Sequence, residues 1–504
     1  MPIFKKNRSS SMERFDLVVI GAGPSGYAAA MRALDFKKKI LLIERNKVGG
    51  AGVTNGALSS KTWWELSREA SAFRKSLKRY NIQAPSISYK EIQSEVHKAV
   101  GERKGMLEEH MLELRNSPYS NLLEFKTGDA KLLSQHEIEI VNGARKEIVY
   151  AENIILATGS RPRHLPELPI DEKIVMTSDG IEEMEDFPES MVIVGAGVIG
   201  CEYATIFSGF GRTKVHLIDK GDRILPFEDE DVVRIVERNM ENNGVLVHRN
   251  SRLVGMKIIN NRVEYELEYT DASRQTFNVE KALVSVGRVA NLEDLWDDKV
   301  GINITKRGID NNDTQTNVSN IYAVGDLTAD ISLVNVGELE GRYAVEKIFG
   351  KPERKLVYEN ISTIMFLSPE VAGVGLNETQ AKEKGIDYKV VTLEYSTIPR
   401  AIAKRNTQGF IKLLVTCDDH MKILGMKVVG NHASSAIQAV AVLISMDKGI
   451  EELAECVHPH PSITEGIQEC VRMFLGKSLF KPSALSGRLS CRKYSKGKYE
   501  DIIF

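Results

Sequence analysis

One local pattern occurs twice in this chain, and few folds satisfy it. Residues 16–20 (DLVVI) form a short apolar run followed at once by Gly21-Ala22-Gly23-Pro24-Ser25-Gly26. An alanine-rich helical stretch follows, from Tyr27 to Leu34, and then a second apolar run, 40–43, closed by Glu44. The same order returns as 191–194, Gly195-Ala196-Gly197-Val198-Ile199-Gly200, a helical stretch from Cys201, and 215–218 closed by Asp219. The first glycine makes a tight turn and the second lets backbone approach a pyrophosphate. The third lets the helix pack on the strand, leaving N–H groups at the helix start for the anion. The closing carboxylate accepts hydrogen bonds from ribose hydroxyls. A single glycine run is weak evidence because glycine-rich turns are common. Two runs, each with strand, helix, second strand and acid in order, predict two dinucleotide-binding α/β folds.

Two such sites in one chain imply a permanently held flavin adenine dinucleotide (FAD) and a nicotinamide nucleotide that comes and goes. Gly21, Gly23, Gly26 and Glu44 are the expected FAD contacts, and Gly195, Gly197, Gly200 and Asp219 the nicotinamide contacts. A carboxylate at 219 suits a free ribose diol and repels a 2′-phosphate, so NAD(H) is favoured over NADP(H). Lys220 and Arg223 lie close enough in sequence to soften that preference.

Composition narrows the class. At 504 residues the chain is long enough for about three domains. A net charge of −2 provides no global field to recruit nucleic acid or an anionic membrane. The best apolar run, 436–446, is interrupted, falls short of the roughly 20 residues a membrane span needs, and reads as a buried helix. Met1–Ser11 carries Lys5, Lys6 and Arg8 without an apolar core after them, so it reads as a disordered tail rather than a secretory signal. Cys201, Cys417, Cys456, Cys470 and Cys491 are scattered, which points to a reducing, cytoplasmic setting and against a zinc site or disulfide scaffold.

From about Phe15 to about Leu479 the chain resembles the dihydrolipoyl dehydrogenase and glutathione reductase family of pyridine-nucleotide flavoproteins. Ile155-Leu156-Ala157-Thr158-Gly159-Ser160-Arg161-Pro162 resembles that family's crossing from the first to the second nucleotide domain, and Ser285-Val286-Gly287-Arg288 the return crossing. Ile321-Tyr322-Ala323-Val324-Gly325-Asp326 resembles its second FAD fingerprint, whose aspartate binds the flavin's ribityl chain. The resemblance implies FAD contacts at Gly50, Thr158, Gly159, Gly325 and Asp326, and a cofactor role for Gly287. It pairs Lys61 with Glu202 close to the flavin's hydride-accepting nitrogen, where a lysine raises the flavin's electron affinity. By base rate alone, Lys61 and Glu202 are two surface charges.

The resemblance also implies a glutathione reductase-like fold. Its domains are an FAD-binding domain from 12–162 and 289–350, a nicotinamide domain at 163–288, and an α+β dimerisation domain at 351–480, with a C-terminal tail at 481–504. Within the dimerisation domain, strands are expected at 366–372 and 423–426 of a homodimer. His460, with Glu465 five residues on, matches the family's acid–base pair, which reaches into the site of a partner subunit. The alternative is an interface histidine kept for packing. The tail, with Lys481, Arg488, Arg492, Lys493, Lys496 and Lys498, extends past the family's usual end and reads as solvated and disordered.

The pattern breaks at the redox loop. Aligned on Gly49-Gly50, Gly56 and Ser60-Lys61, the family's two cysteine positions hold Gly52 and Ala57. Neither can form a thiolate or a disulfide. Cys456 and Cys470 flank the His460 segment but lie on the wrong domain to replace them, and Cys201 reads as a buried small residue. Trp63 or Trp64 could cover the space left by the missing disulfide, although core packing is the commoner fate. Three functions remain. The first is an enzyme exchanging hydride between nicotinamide and flavin without a disulfide relay, passing electrons to a small-molecule acceptor, as soluble transhydrogenases or diaphorase-like quinone reductases do. The second is a non-catalytic homologue that keeps FAD and NAD as structural or sensing ligands in an assembly. The third is an active dihydrolipoyl dehydrogenase with unrecognised thiols. No metal is expected.

Overall fold

The computed structural model describes residues 12–83, 86–328, 330–353 and 355–502; the expected N-terminal tail, 1–11, lies outside them. The chain divides into two compact units. The first gathers residues 1–62, 91–163 and 287–356; the second gathers 63–90, 164–286 and 357–504.

In the first unit, the Glu13–Ile20 strand lies between parallel partners Ile40–Glu44 and Arg145–Leu156. Leu123–Thr127 extends one side and Ile321–Ala323 the other. Strands buried on both faces read as continuous apolar runs rather than as alternating ones, and Leu17 to Ile20 and Ile40 to Ile43 are all buried. The Pro24–Asp35 helix covers one face with Ala29, Ala30, Ala33 and Leu34. Arg145–Leu156 runs past the parallel set to pair antiparallel with Glu137–Asn142.

The second unit contains a parallel sheet, ordered Leu246–His248, Lys214–Ile218, Ser190–Val194, Lys281–Val284, Val175–Met176, and a three-stranded antiparallel sheet over 251–279. It also holds a seven-stranded sheet from Thr363–Met365, Val371–Gly375, Ile423–Val429, Phe410–Thr416, Tyr388–Glu394, Leu489–Ser495 and Lys498–Asp501, in that order. Two expectations change here. Residues 366–370 form the turn between two strands rather than a strand. The 481–504 tail is not a solvated coil: 489–501 forms a hairpin whose Leu489 and Cys491 are buried in the core. Its alternating pattern, Leu489, Cys491 and Lys493 on one face, was hidden by a high lysine content.

The apolar run at 436–446 becomes helical at Ala433–Ala436 and Gln438–Ser445, but only one side is buried. Val440 and Ile444 face the core, while Val442 and Met446 are exposed. Among the described residues no helix is long and apolar enough to cross a membrane.

Candidate functional site

The two glycine motifs match atom for atom. In the first unit, Gly21 N donates to Ile43 O (2.8 Å), Ala22 N to Glu44 Oε2 (2.7 Å) and Asn46 N to Glu44 Oε1 (2.8 Å). In the second, Gly195 N donates to Ile218 O (2.9 Å), Ala196 N to Asp219 Oδ2 (2.8 Å) and Gly221 N to Asp219 Oδ1 (2.8 Å). A Cβ on Gly26 would stand 1.9 Å from Gly21 O, and one on Gly200 1.9 Å from Gly195 O, so each helix packs on its turn only because the third glycine has no side chain. Gly23 and Gly197 cap the two helices. Neither supplies a side-chain cap, and neither helix has an acidic residue in its first turn. A Cβ at either position would meet nothing within 4 Å. Each helix start is therefore an uncapped set of N–H donors facing open space, which fits a diphosphate. Each acid braces its turn with both oxygens and retains lone pairs for a ribose diol.

The other expected FAD contacts, Thr158, Gly159, Gly325 and Asp326, also belong to the first unit. Thr158 and Gly159 follow the Arg145–Leu156 strand and are held by Asn291. The Thr158 hydroxyl donates to Asn291 O (2.8 Å), the Asn291 side chain donates to Thr158 O (2.9 Å), and its amide donates to Gly159 O (2.9 Å). Gly325 and Asp326 form a tight turn after Ile321–Ala323. Gly325 N donates to the buried Glu340 (2.6 Å), and Asp326 Oδ2 accepts from the Ser160 hydroxyl (2.7 Å). Arg288 donates to Ser160 Oγ (2.8 Å) and lies 3.9 Å from Asp326. Gly287 accepts at its carbonyl from Arg163 N (3.0 Å), tying the two crossings together. Asn291, Ser160, Arg288 and Glu340 were not singled out in the sequence. Their partners are distant along the chain, and only Ser160 and Arg288, within the two crossing motifs, carried any local signal.

The redox loop folds without a thiol. Gly50–Val53 is a single helical turn, and Gly49 N donates to Ala22 O of the first glycine motif (2.9 Å). A Cβ on Gly52 would lie 2.5 Å from Cγ of Pro24, so the position has closed onto the Pro24 ring. Ala57 begins the Ala57–Tyr80 helix. Ser60 donates to Gly56 O (2.7 Å) and Lys61 Nζ to Ser60 Oγ (3.3 Å).

Lys61 belongs to the first unit and Glu202 to the second. Glu202 is buried on the Val198–Phe210 helix, and its carboxylate accepts from Phe366 N (3.0 Å), so it is not a surface charge. The Phe366 ring packs edge-on against Trp64, whose indole N–H donates to Leu367 O (3.2 Å). Trp63 packs against Tyr89 and Phe210. Both tryptophans thus have the core role. Cys201 is fully buried, and burial pushes its thiol well above the ordinary range. Cys470 and Cys491 are buried with their thiols also raised, first by burial. All five cysteines are unbridged.

His460 and Glu465 meet as the resemblance implies, with Nδ1 and Oε1 2.7 Å apart. The other Glu465 oxygen accepts from Ser462 N (2.8 Å). Partial burial opposes the Glu465 charge, but the Ser462 amide and His460 outweigh it and hold the carboxyl below its usual range. The pair is a carboxylate-oriented imidazole, 69% exposed at His460, able to pass a proton to an outside group.

Next to Asp219, whose amide donates to His248 O (3.2 Å), two histidines lie 5.6 Å apart between ring centres. His216 Nδ1 is 2.7 Å from Tyr265 Oη, and His248 Nδ1 3.0 Å from Tyr269 Oη. Burial, with His248 and Lys214 adding to it, pulls His216 down to about 4.

Residues 15–341 match the family described as pyridine nucleotide-disulphide oxidoreductase, and 361–471 match its dimerisation domain. The chain belongs to this family. Two relatives are dihydrolipoyl dehydrogenases. One, from Geobacillus stearothermophilus, is 31% identical over 92% of this chain and 96% of its own. Another, from Bacillus subtilis, is 30% identical over 92% and 99%. Among solved structures, LpdA from Mycobacterium tuberculosis superposes with a TM-score of 0.83 at 24% identity, over 92% of this chain and 99% of that one. The HOCl-induced flavoprotein disulfide reductase RclA from Escherichia coli gives 0.79 at 22%, over 91% and 99%. At those identities the two structures establish the fold. The family implies FAD and a pyridine nucleotide as cofactors.

Proposed function

We propose that this protein is an FAD-dependent NAD(H) oxidoreductase that moves hydride between nicotinamide and flavin without a disulfide relay. It would deliver electrons to a small-molecule acceptor in the manner of a soluble transhydrogenase or a diaphorase-like quinone reductase. One observation carries this reading. Both glycine turns are braced by their acids and open at their helix starts, while Gly52, where the loop would carry a thiol, lies against Pro24.

FAD would be held by the Gly21–Gly26 turn, Glu44, Gly50, Thr158–Gly159 and Gly325–Asp326, with domain limits of 12–162 and 289–350. The 163–288 fold would take NAD(H) through Gly195, Gly197, Gly200 and Asp219, with Gly287 at the return crossing. Residues 351–480 would pair two subunits. Bound flavin would supply a two-electron acceptor for the nicotinamide hydride. Asp219 accepts backbone N–H bonds at both oxygens, so it stays fixed to receive ribose hydroxyls and to oppose a 2′-phosphate. Glu202 is fixed through the Phe366 amide, and Lys61 would raise the flavin's electron affinity. His460, oriented by Glu465, would move a proton for acceptors that need one.

Anaerobic NADH should bleach the flavin after about one equivalent, with no long-wavelength thiolate band. An unbleached flavin would sink this reading, and a thiolate band or two-equivalent reduction would restore the thiol chemistry. Transfer from NADPH to thio-NAD would select the transhydrogenase; brisk quinone reduction without it would select the diaphorase.

The naming of the relatives as dihydrolipoyl dehydrogenases favours a second reading, a dihydrolipoyl dehydrogenase homologue that is either active through unrecognised thiols or binds FAD and NAD without turnover inside an assembly. A flavin that NADH binds beside but does not reduce would support the form without turnover.

A further inference from the structure

The C-terminal hairpin lies beyond both family-matched stretches, which end at 341 and 471. It reaches a buried charge cluster on which the second glycine motif leans. Lys412 is fully buried, in the middle of the apolar Phe410–Thr416 strand. Its ammonium lies 2.6 Å from Asp231, 2.7 Å from Glu378 and 3.1 Å from Asp229. Its cross-strand neighbour Lys427 pairs with Glu228 at 2.7 Å. Asp229 also accepts from the Thr379 amide (3.0 Å) and hydroxyl (2.9 Å), and Asn377 donates to Phe227 O (3.1 Å). This loop then touches the nucleotide turn directly, because Leu225 N donates to Ala196 O (2.9 Å). The hairpin closes the other end. Tyr499 Oη donates to Glu378 Oε1 (2.6 Å) and is 3.0 Å from Tyr388 Oη, which donates to the same carboxylate (3.1 Å). Arg492 and Lys382 lie over the Tyr499 ring at 4.5 and 5.0 Å.

We propose that Tyr499 is a positioning residue for the nicotinamide nucleotide. Through Glu378 and Lys412 it fixes residues 225–231, and through Leu225 it fixes the Gly195–Gly200 turn. The chain therefore carries, past the end of its family match, a strap that sets its nucleotide affinity. The proposal rests on the reading that this turn binds NAD(H). A buried ion cluster favours one arrangement only when its hydrogen bonds are complete, and the Tyr499 hydroxyl supplies one of those bonds from a side chain that is still 38% exposed.

The test compares the full-length holoprotein with Tyr499→Phe and, as a control on the same hairpin, Tyr494→Phe, whose ring stacks on Tyr388. Tyr499→Phe should raise the NADH dissociation constant three- to tenfold and speed amide hydrogen exchange across 225–231, with flavin content and melting temperature unchanged. Tyr494→Phe should leave affinity and exchange as in the parent. An unchanged affinity and exchange in Tyr499→Phe, or equal effects in both variants, overturns the proposal. If the parent binds no NADH, the nucleotide reading fails. The exchange comparison then still decides whether Tyr499 fixes the loop.

Discussion

Gly200 sits where a single added methyl group would touch the backbone, since its Cβ would fall 1.9 Å from Gly195 O. Overpacking of this kind costs about 1–3 kcal/mol when it must be relieved by backbone movement. Gly200→Ala should therefore weaken NADH binding by about tenfold or more while FAD content, read from visible absorbance, is retained. Gly26→Ala should show the converse, with flavin lost on gel filtration. His460 offers a different residue-scale test. General acid–base groups contribute about 10²-fold or more, so His460→Ala should slow quinone reduction by about that factor relative to ferricyanide, which takes electrons without protons. An equal loss with both acceptors would assign His460 to packing. His216 bears on stability. Its folded value of about 4 lies below the ordinary imidazole range. The unfolded chain therefore binds a proton that the folded chain refuses between about pH 6.5 and 4, and stability falls as pH drops through that window. His216→Asn should flatten this part of a melting-temperature profile.

At the scale of elements, the redox loop and the Lys412 strand break their expected patterns in opposite ways. The loop holds Gly52 and Ala57 at the family's cysteine positions with Gly52 against Pro24, so Gly52→Cys and Ala57→Cys together should not create a disulfide. A side chain at 52 meets the rigid Pro24 ring at 2.5 Å. Thiol titration of the unfolded double variant should count seven free thiols, with a lowered melting temperature; five would show that the bridge forms. The strand keeps a cation in the core because three carboxylates surround it. Removing one partner of such a cluster leaves buried charge and costs about 3–5 kcal/mol, so Lys412→Met should lower the melting temperature far more than any change at the exposed Lys498. Burial opposes the charges of Asp229 and Glu378, yet Lys412 holds both below the ordinary range. Their contribution is complete above about pH 4 and is lost as pH falls through the depressed values. Replacing Lys412 should therefore flatten the fall in melting temperature below about pH 4.

For the molecule as a whole, what could be read from the sequence followed the length scale of each signal. Both glycine motifs, Glu44 and Asp219 were legible because strand, turn, helix and acid are close together in the chain, and the His460–Glu465 pair through the family resemblance. Burial of Glu202 and the clamping of Thr158 by Asn291 were not, because they join segments far apart. The hairpin was missed because lysines and serines outweighed its short apolar alternation, and the exposed side of 436–446 because composition does not reveal which face is covered. The division of the chain has a further consequence. The first unit is made of 1–62, 91–163 and 287–356, and the second waits on 357–504 to complete what 63–90 began. No contiguous fragment consists of either unit alone. During synthesis, the first unit keeps its early strands unfinished until about 70% of the polypeptide has left the ribosome, and the second waits for the end of the chain. Stalled or truncated products of this gene should therefore appear as chaperone-bound or degraded chains rather than as small folded domains.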